Sequence, residues 1–148
     1  MDLGMLVVQT IHLPLAGVDG LAAEARAEGL RFIDRMTAAW ESGETRFSRH
    51  GELLLGAFDC GALVGIAGLT RDPYIGDPGT GRLRSLYVRP GWRRRGIGAA
   101  LVAEIRRAAA VTFDRLRLRT DNPEAAQFYE AIGFARVNEP DATHALEC

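Results

Sequence analysis

Apolar and polar positions along the chain change period several times, and the changes lay out an alternating series of strands and helices. A β-rich run from Met5 to Ile11 predicts a first strand, and Pro14 to Gly20 reads as a loop. From Leu21 to Trp40 the apolar residues Leu21, Ala25, Phe32, Ile33, Met36 and Ala39 follow helical spacing. Gly29 interrupts that pattern, so one bent helix and two short ones are equally acceptable. Glu52–Phe58 and Ala62–Leu69 predict a hairpin around Asp59-Cys60-Gly61, and Arg71 to Gly81 is a proline- and glycine-rich loop long enough to line a site.

The next stretch organises the rest. Leu86, Tyr87 and Val88 are β-formers ended by Pro90 and Gly91, since proline donates no ladder hydrogen bond and glycine favours a turn. Arginines 93 to 95 and Gly96 follow, then Ile97, Leu101, Ile105 and Ala108 at helical spacing with one buried face. Leu116, Leu118 and Thr120 alternate with Arg117 and Arg119, which predicts a strand with one apolar and one charged, solvated face. Asn122-Pro123-Glu124 combines a cap, a proline at the first helical position and an acid in the first turn. That helix runs through Ala125, Phe128, Tyr129 and Ile132 and stops at Gly133, and a final hairpin pairs Arg136-Val137 with Ala142–Leu146. The order is an α/β (α+β) arrangement, a mixed sheet flanked by helices, within one expected domain over residues 1–148.

Composition narrows the field only where it is unusual. A net charge of -1 argues against a general nucleic-acid binder, because that affinity requires many phosphates to be neutralised at once. All 18 basic residues are arginine, so a lysine Schiff base and a lysine general base are excluded. The two cysteines, Cys60 and Cys148, form no metal spacing and no disulfide framework. No apolar stretch approaches a membrane span and no secretory core opens the chain, which leads to the expectation of a cytoplasmic protein without a membrane partner. His12, His50 and His144 are isolated, so no metal is expected.

The turn after Val88 has its own chemistry. It enters a helix N-terminus, where unpaired N–H groups and the positive end of the macrodipole favour an anion. Gly96 and Gly98 lack a Cβ, which admits a phosphate to the backbone, and three arginines add forked donors. Glycine at such a turn can equally answer backbone geometry alone. The residues resemble the acyl-CoA signature of the GCN5-related N-acetyltransferases (GNAT): Arg93-x-x-Gly96-x-Gly98 matches that family's Gln/Arg-x-x-Gly-x-Gly/Ala motif. Leu86-Tyr87-Val88-x-Pro90 before it and Asn122 to Phe134 after it fall where the family has its fourth strand and a later CoA-contacting helix.

The resemblance implies a GNAT-like sheet and a CoA-dependent N-acyltransferase that moves acetyl from acetyl-CoA, its cosubstrate, to a primary amine of a small molecule or peptide. The backbone at Leu86, Tyr87 and Val88 would hold the pantetheine arm. N–H groups of Arg94, Arg95, Gly96, Ile97, Gly98 and Ala99 would hold the pyrophosphate, with Arg93, Asn122 and Phe128 as further cofactor contacts. Tyr129 falls on the family's general acid toward the CoA sulfur, although an aromatic packing role fits it too. A thiol near pKa ~8.5 and a phenol near ~10 make that donation uphill by roughly 2 kcal/mol. The acid that many relatives carry on the fourth strand is replaced by Arg82. Asp72, Asp77, Glu44 and Glu52 remain as candidate bases, each more in keeping with a solvated surface acid. Weak deprotonating power favours acceptors of low pKa: about one in seven α-amines is neutral at pH 7, against on the order of one in two thousand lysine-like amines. A noncatalytic acyl-CoA sensor is the alternative reading, and a homodimer is compatible with the implied fold.

Overall fold

The computed structural model describes residues 5–148, so Met1 to Gly4 lie outside the description. Seven strands form one sheet: β1 (Leu6–Thr10), β2 (Leu53–Asp59), β3 (Ala62–Arg71), β4 (Thr80–Val88), β5 (Arg115–Leu118), β6 (Ala135–Glu139) and β7 (Ala142–Glu147). Their order is β1-β2-β3-β4-β5-β7-β6, and every neighbouring pair is antiparallel except β4 and β5. Helices α1 (Val18–Ala27) and α2 (Phe32–Ser42) pack on one face, with Leu21, Ile33 and Met36 against Leu54, Ile66 and Tyr87. Helices α3 (Ile97–Thr112) and α4 (Pro123–Ala131) cover the other, with Leu101, Ile105 and Tyr129 against Leu55, Ala67, Leu69, Leu116 and Leu118. β3 is thus covered on both faces, which is why its sequence is an almost unbroken apolar run.

The region of the first helices resolves into two, and the chemistry lies at Gly29. Gly29 takes φ 80, Gly29 N–H donates to Arg26 O and Leu30 N–H to Ala25 O, which closes α1 in a Schellman arrangement. The loop expected to reach Gly20 is shorter, because Val18 belongs to the buried stripe Val18, Leu21, Ala22 and Ala25 and brings the helix start forward. The β2–β3 loop is two residues, Cys60 and Gly61, both at positive φ, as a type I′ hairpin requires. The buried stripe of α3 ends on Ala109 rather than Ala108.

Two expectations about charged residues are overturned. Arg117 does not lie on a solvated face, and Asp72 is not a surface acid: they are 2% exposed each. Asp72 follows β3 directly and puts its carboxylate between Arg117 Nε at 2.8 Å and Arg82 Nη1 at 3.3 Å. Arg117 also reaches Glu139, Arg82 reaches the Asp141 carbonyl at 2.8 Å, and Tyr74 lies beneath the Arg82 guanidinium. Arg82 and Arg117 are opposed in the parallel β4–β5 pair, so two guanidiniums on adjacent strands share one carboxylate. Arg119, by contrast, is exposed as expected.

Burial raises the Asp72 pKa, but the hydrogen bonds from Arg117 and the Tyr74 N–H and the charges of Arg82 and Arg117 outweigh it, so the carboxyl titrates below its ordinary value. The unfolded chain therefore binds that proton first as pH falls. The contribution is complete above the ordinary carboxylate range and is lost as pH drops through the folded value. Asp72→Ala leaves two buried guanidiniums without their carboxylate and is expected to cost about 3 kcal/mol or more in denaturant unfolding at pH 7. Asp72→Asn should also flatten the acid limb of the stability profile relative to wild type.

Candidate active site

The site begins on β4. Its register with β3 runs Gly65↔Val88 and Ile66↔Tyr87, then slips so that Gly68 faces Arg84. The extra residue is accommodated as a β-bulge, with Ser85 at φ 59. Without the bulge, Arg82, Arg84, Leu86 and Val88 would share a face. With it, Leu86 and Val88 pack with the α3 layer, while Tyr87 turns to the α1/α2 layer.

The bulge also sets where the backbone points. Opposed residues of an antiparallel pair alternate between exchanging two hydrogen bonds and exchanging none. Arg89 N–H donates to Val64 O at 2.9 Å, so Tyr87 also faces β3, and Val88 and by the same alternation Leu86 turn N–H and C=O to the opposite edge. There β5 pairs only with Thr80, Gly81 and Arg82. Beyond Arg82 that edge of β4 carries no strand among the described residues.

The open edge leads into the arginine turn. A single 3-10 turn, Pro90–Trp92, is closed by Trp92 N–H on Arg89 O. Arg94 at φ 66 and Gly96 at φ 81 then reverse the chain into α3. Gly96 is the N-cap and no side chain caps the helix; the first ladder bond is Ala100 N–H to Gly96 O. The amides of Ile97, Gly98 and Ala99 are thus left as an anion-seeking group.

Side chains of the turn divide in role. Arg93 forks onto both oxygens of Glu28 at 2.7 Å and gives its Nε to the Val88 carbonyl, while Tyr87 OH donates to the same Glu28. Arg89 binds Glu24, one turn earlier on α1, and Trp92 Nε1 donates to Asp59 at 3.0 Å. The hydrogen bond from Arg93 is the main reason Glu28 titrates below its ordinary value, against a smaller opposing effect of burial. Arg94 and Arg95 have no side-chain partner among the described residues. Glu24 and Glu28 were not singled out from sequence, although their spacing of four matches that of Arg89 and Arg93.

Phe128 and Gly98 complete the wall. A Cβ on Gly98 would lie 3.3 Å from the Phe128 ring and 3.8 Å from Val88, so β4, α3 and α4 converge there. Asn122 caps α4 by accepting Glu124 N–H at 2.9 Å.

Comparison with known proteins agrees with this geometry. The acetyltransferase (GNAT) domain model matches residues 50–136, more than half of the chain. The chain belongs to the GNAT family. It is 36% identical over 85 residues to the N-alpha-acetyltransferase RimI of Mycobacterium tuberculosis, a match covering 56% of this chain and 52% of RimI. The chain spans 23% and 52% of the length of curated relatives it matches. A protein of Exiguobacterium sp. 255-15 assigned to the acetyltransferases superposes with TM-score 0.86 at 28% identity, covering 99% of this chain and 94% of that one. The PaiA N-acetyltransferase of Thermoplasma acidophilum, solved in complex with coenzyme A, shares the fold at TM-score 0.71 and 19% identity, with 97% and 99% covered.

Within this GNAT domain, Tyr129 is 8% exposed and packs edge-on against Phe128 and Phe134. Burial pushes its phenol pKa well up, and its hydroxyl has no protein hydrogen-bond partner among the described residues. The group is therefore a hydrogen-bond donor, and full proton transfer from it is costlier than from a free phenol. The four candidate bases separate. Asp72 is locked between arginines, Asp77 accepts from Gly79 N–H and the Thr80 hydroxyl, and Glu52 accepts from the N–H groups of Arg49 and Arg71. Glu44 is the one of the four whose carboxylate has no partner among the described residues. His144 is fully buried and bonded to Glu130 and Thr143, a structural role. Among the described residues no helix is long and apolar enough to cross a membrane, and no group of three His, Cys, Asp or Glu could hold a metal.

Tyr129→Phe separates packing from chemistry. Stability in thermal unfolding should stay within about 0.5 kcal/mol of wild type, since no protein partner is lost. A fall in kcat of tenfold or more in the same variant would place the hydroxyl at the sulfur, and an unchanged kcat would assign Tyr129 to packing.

Proposed function

We propose that the protein is an acetyl-CoA-dependent N-acetyltransferase acting on a primary amine, within a single domain spanning residues 1–148. The observation that carries the proposal is the continuity of two ligand-seeking surfaces: the open β4 edge at Leu86–Val88 runs straight into the uncapped N-terminus of α3. The pantetheine amides would extend the sheet by pairing with Leu86 and Val88, flanking Tyr87. The pyrophosphate would take the amides of Arg94 to Ala99, with the free guanidiniums of Arg94 and Arg95 adding charge. Arg93 would serve through its backbone and by holding the turn, Phe128 would flank the arm, and the Asn122 amide, beyond its capping oxygen, would be a further donor.

Transfer follows from that placement. The neutral amine attacks the thioester carbonyl carbon, the carbonyl oxygen gains charge, and the outward N–H of Val88 stabilises it. The C–S bond then breaks, the former amine proton passes to solvent, and the thiolate is quenched by a hydrogen bond or proton from Tyr129. Products are the N-acetyl amide and free CoA. None of the acids has a setting that would deprotonate a lysine-like ammonium strongly, which favours α-amines and other amines of low pKa.

Calorimetric titration with acetyl-CoA tests the reading. Wild type should bind, Gly98→Glu should abolish binding by filling the cleft at Phe128 and repelling the pyrophosphate, and Arg94→Ala should weaken it by roughly threefold to tenfold. Thiol release with an amine panel then distinguishes a transferase from a sensor. Binding without release from any amine would favour the noncatalytic acyl-CoA module.

A further inference from the structure

The α1/α2 face of β3 and β4 holds a cavity of about 190 Å³ lined by Glu44, Thr45, Arg49, Glu52, Thr70, Arg71, Pro73, Tyr74 and Arg84. Three features set it apart from ordinary surface. Arg84 projects from β4 opposite Gly68, two residues before Leu86, and its guanidinium has neither a hydrogen bond nor an ion pair among the described residues. Thr70, 2% exposed, has a buried hydroxyl without a partner among the described residues. Two acids line the cavity, Glu44 and Glu52; Glu52 is already engaged by the backbone N–H groups of Arg49 and Arg71, and the guanidiniums of those two arginines, unpaired among the described residues, join Arg84 to leave the lining with more positive than negative charge. The neighbouring arginines Arg82 and Arg117 are neutralised by Asp72; Arg84 has no such carboxylate.

An orphaned buried hydroxyl costs about 1–3 kcal/mol, so it marks a place where a partner belongs. Beside an uncompensated guanidinium, the fitting partner is an anionic acceptor that takes a forked donor and a hydroxyl together, which is the chemistry of a carboxylate. The volume is below the ~300–1,000 Å³ of pockets that enclose a whole ligand, so the cavity suits one end of a molecule. Arg84 and Val88 are four residues apart, roughly 13 Å along a strand before the bulge shortens it. The amine at Val88 and the group at Arg84 are thus separated by several bonds.

Resting on the acetyltransferase reading, we infer that this cavity selects the acceptor: a primary amine carrying a carboxylate several bonds away, as in a short peptide or an ω-amino acid. Arg84 grips the carboxylate and the Thr70 hydroxyl supplies a second donor. Arg84 is then a specificity residue, and its effect falls on KM.

The test compares acceptors that differ only in that charge: triglycine against triglycine amide, and 6-aminohexanoate against hexylamine, by thiol release at saturating acetyl-CoA. Wild type should favour the free acid in each pair by at least tenfold in kcat/KM, mainly through KM. Arg84→Gln should bring the members of each pair within twofold of each other, and Arg84→Lys should keep part of the preference. Thr70→Val, nearly isosteric, should reduce the preference by roughly threefold. Acetyl-CoA affinity, measured in parallel, should be unchanged in all three variants, which shows them folded. Equal use of both members by wild type, an equal loss on both in Arg84→Gln, or bound acetyl-CoA with no turnover of either free acid would each overturn the inference. Failure of wild type to bind acetyl-CoA would instead overturn the acetyltransferase reading on which it rests.

Discussion

One carboxylate decides where the sheet is closed and where it is open. Asp72 sits between Arg82 on β4 and Arg117 on β5, and these strands pair only over the three residues that end at those arginines. Past that point β4 continues for six residues with one edge free of any strand among the described residues. A free edge inside a protein is a liability unless something covers it. Here it lies at the centre of a seven-stranded sheet, where a cofactor arm that behaves like a short strand can take it.

A second set of contacts fixes what lies beyond the edge. The turn into α3 is held from three directions: Trp92 on Asp59 of the β2–β3 hairpin, Arg89 on Glu24, and Arg93 with Tyr87 on Glu28. The arginine run is consequently not a uniform basic patch. Arg89 and Arg93 face inward to acids on α1 and at its C-cap and set the position of the loop, whereas Arg94 and Arg95 have no side-chain partner among the described residues, as the proposed pyrophosphate seat requires. Because α1 also walls the α1/α2 layer, the same ion pairs connect the proposed pyrophosphate seat to the layer in which an acceptor would be chosen.

Much of this was legible in the sequence, for reasons that can be named. Helix α3, the cap of α4 at Asn122 and the β2–β3 hairpin are specified by local chemistry: periodicity, a capping side chain, a two-residue turn with glycine. What was not legible depends on partners distant in the chain. Arg117 alternates with leucines as a solvent-facing residue would, and only the return of Asp72, 45 positions away, buries it. The bulge at Ser85 has no glycine to announce it, yet it decides which face Tyr87 joins and which amides reach the open edge. Replacement of the strand-four acid by Arg82 was visible, but its meaning was not. In the structure Arg82 is part of the clamp that ties β4 to β5.

Residue-resolved amide hydrogen exchange, with and without CoA, addresses the central claim most directly. If the pantetheine arm extends β4 and the pyrophosphate sits on α3, CoA should slow exchange at Val88 and at Ile97, Gly98 and Ala99. Tyr87, whose amide already faces β3, should change little. Protection confined to other surfaces, with Val88 and the first turn of α3 unaffected while CoA is bound, would contradict the account.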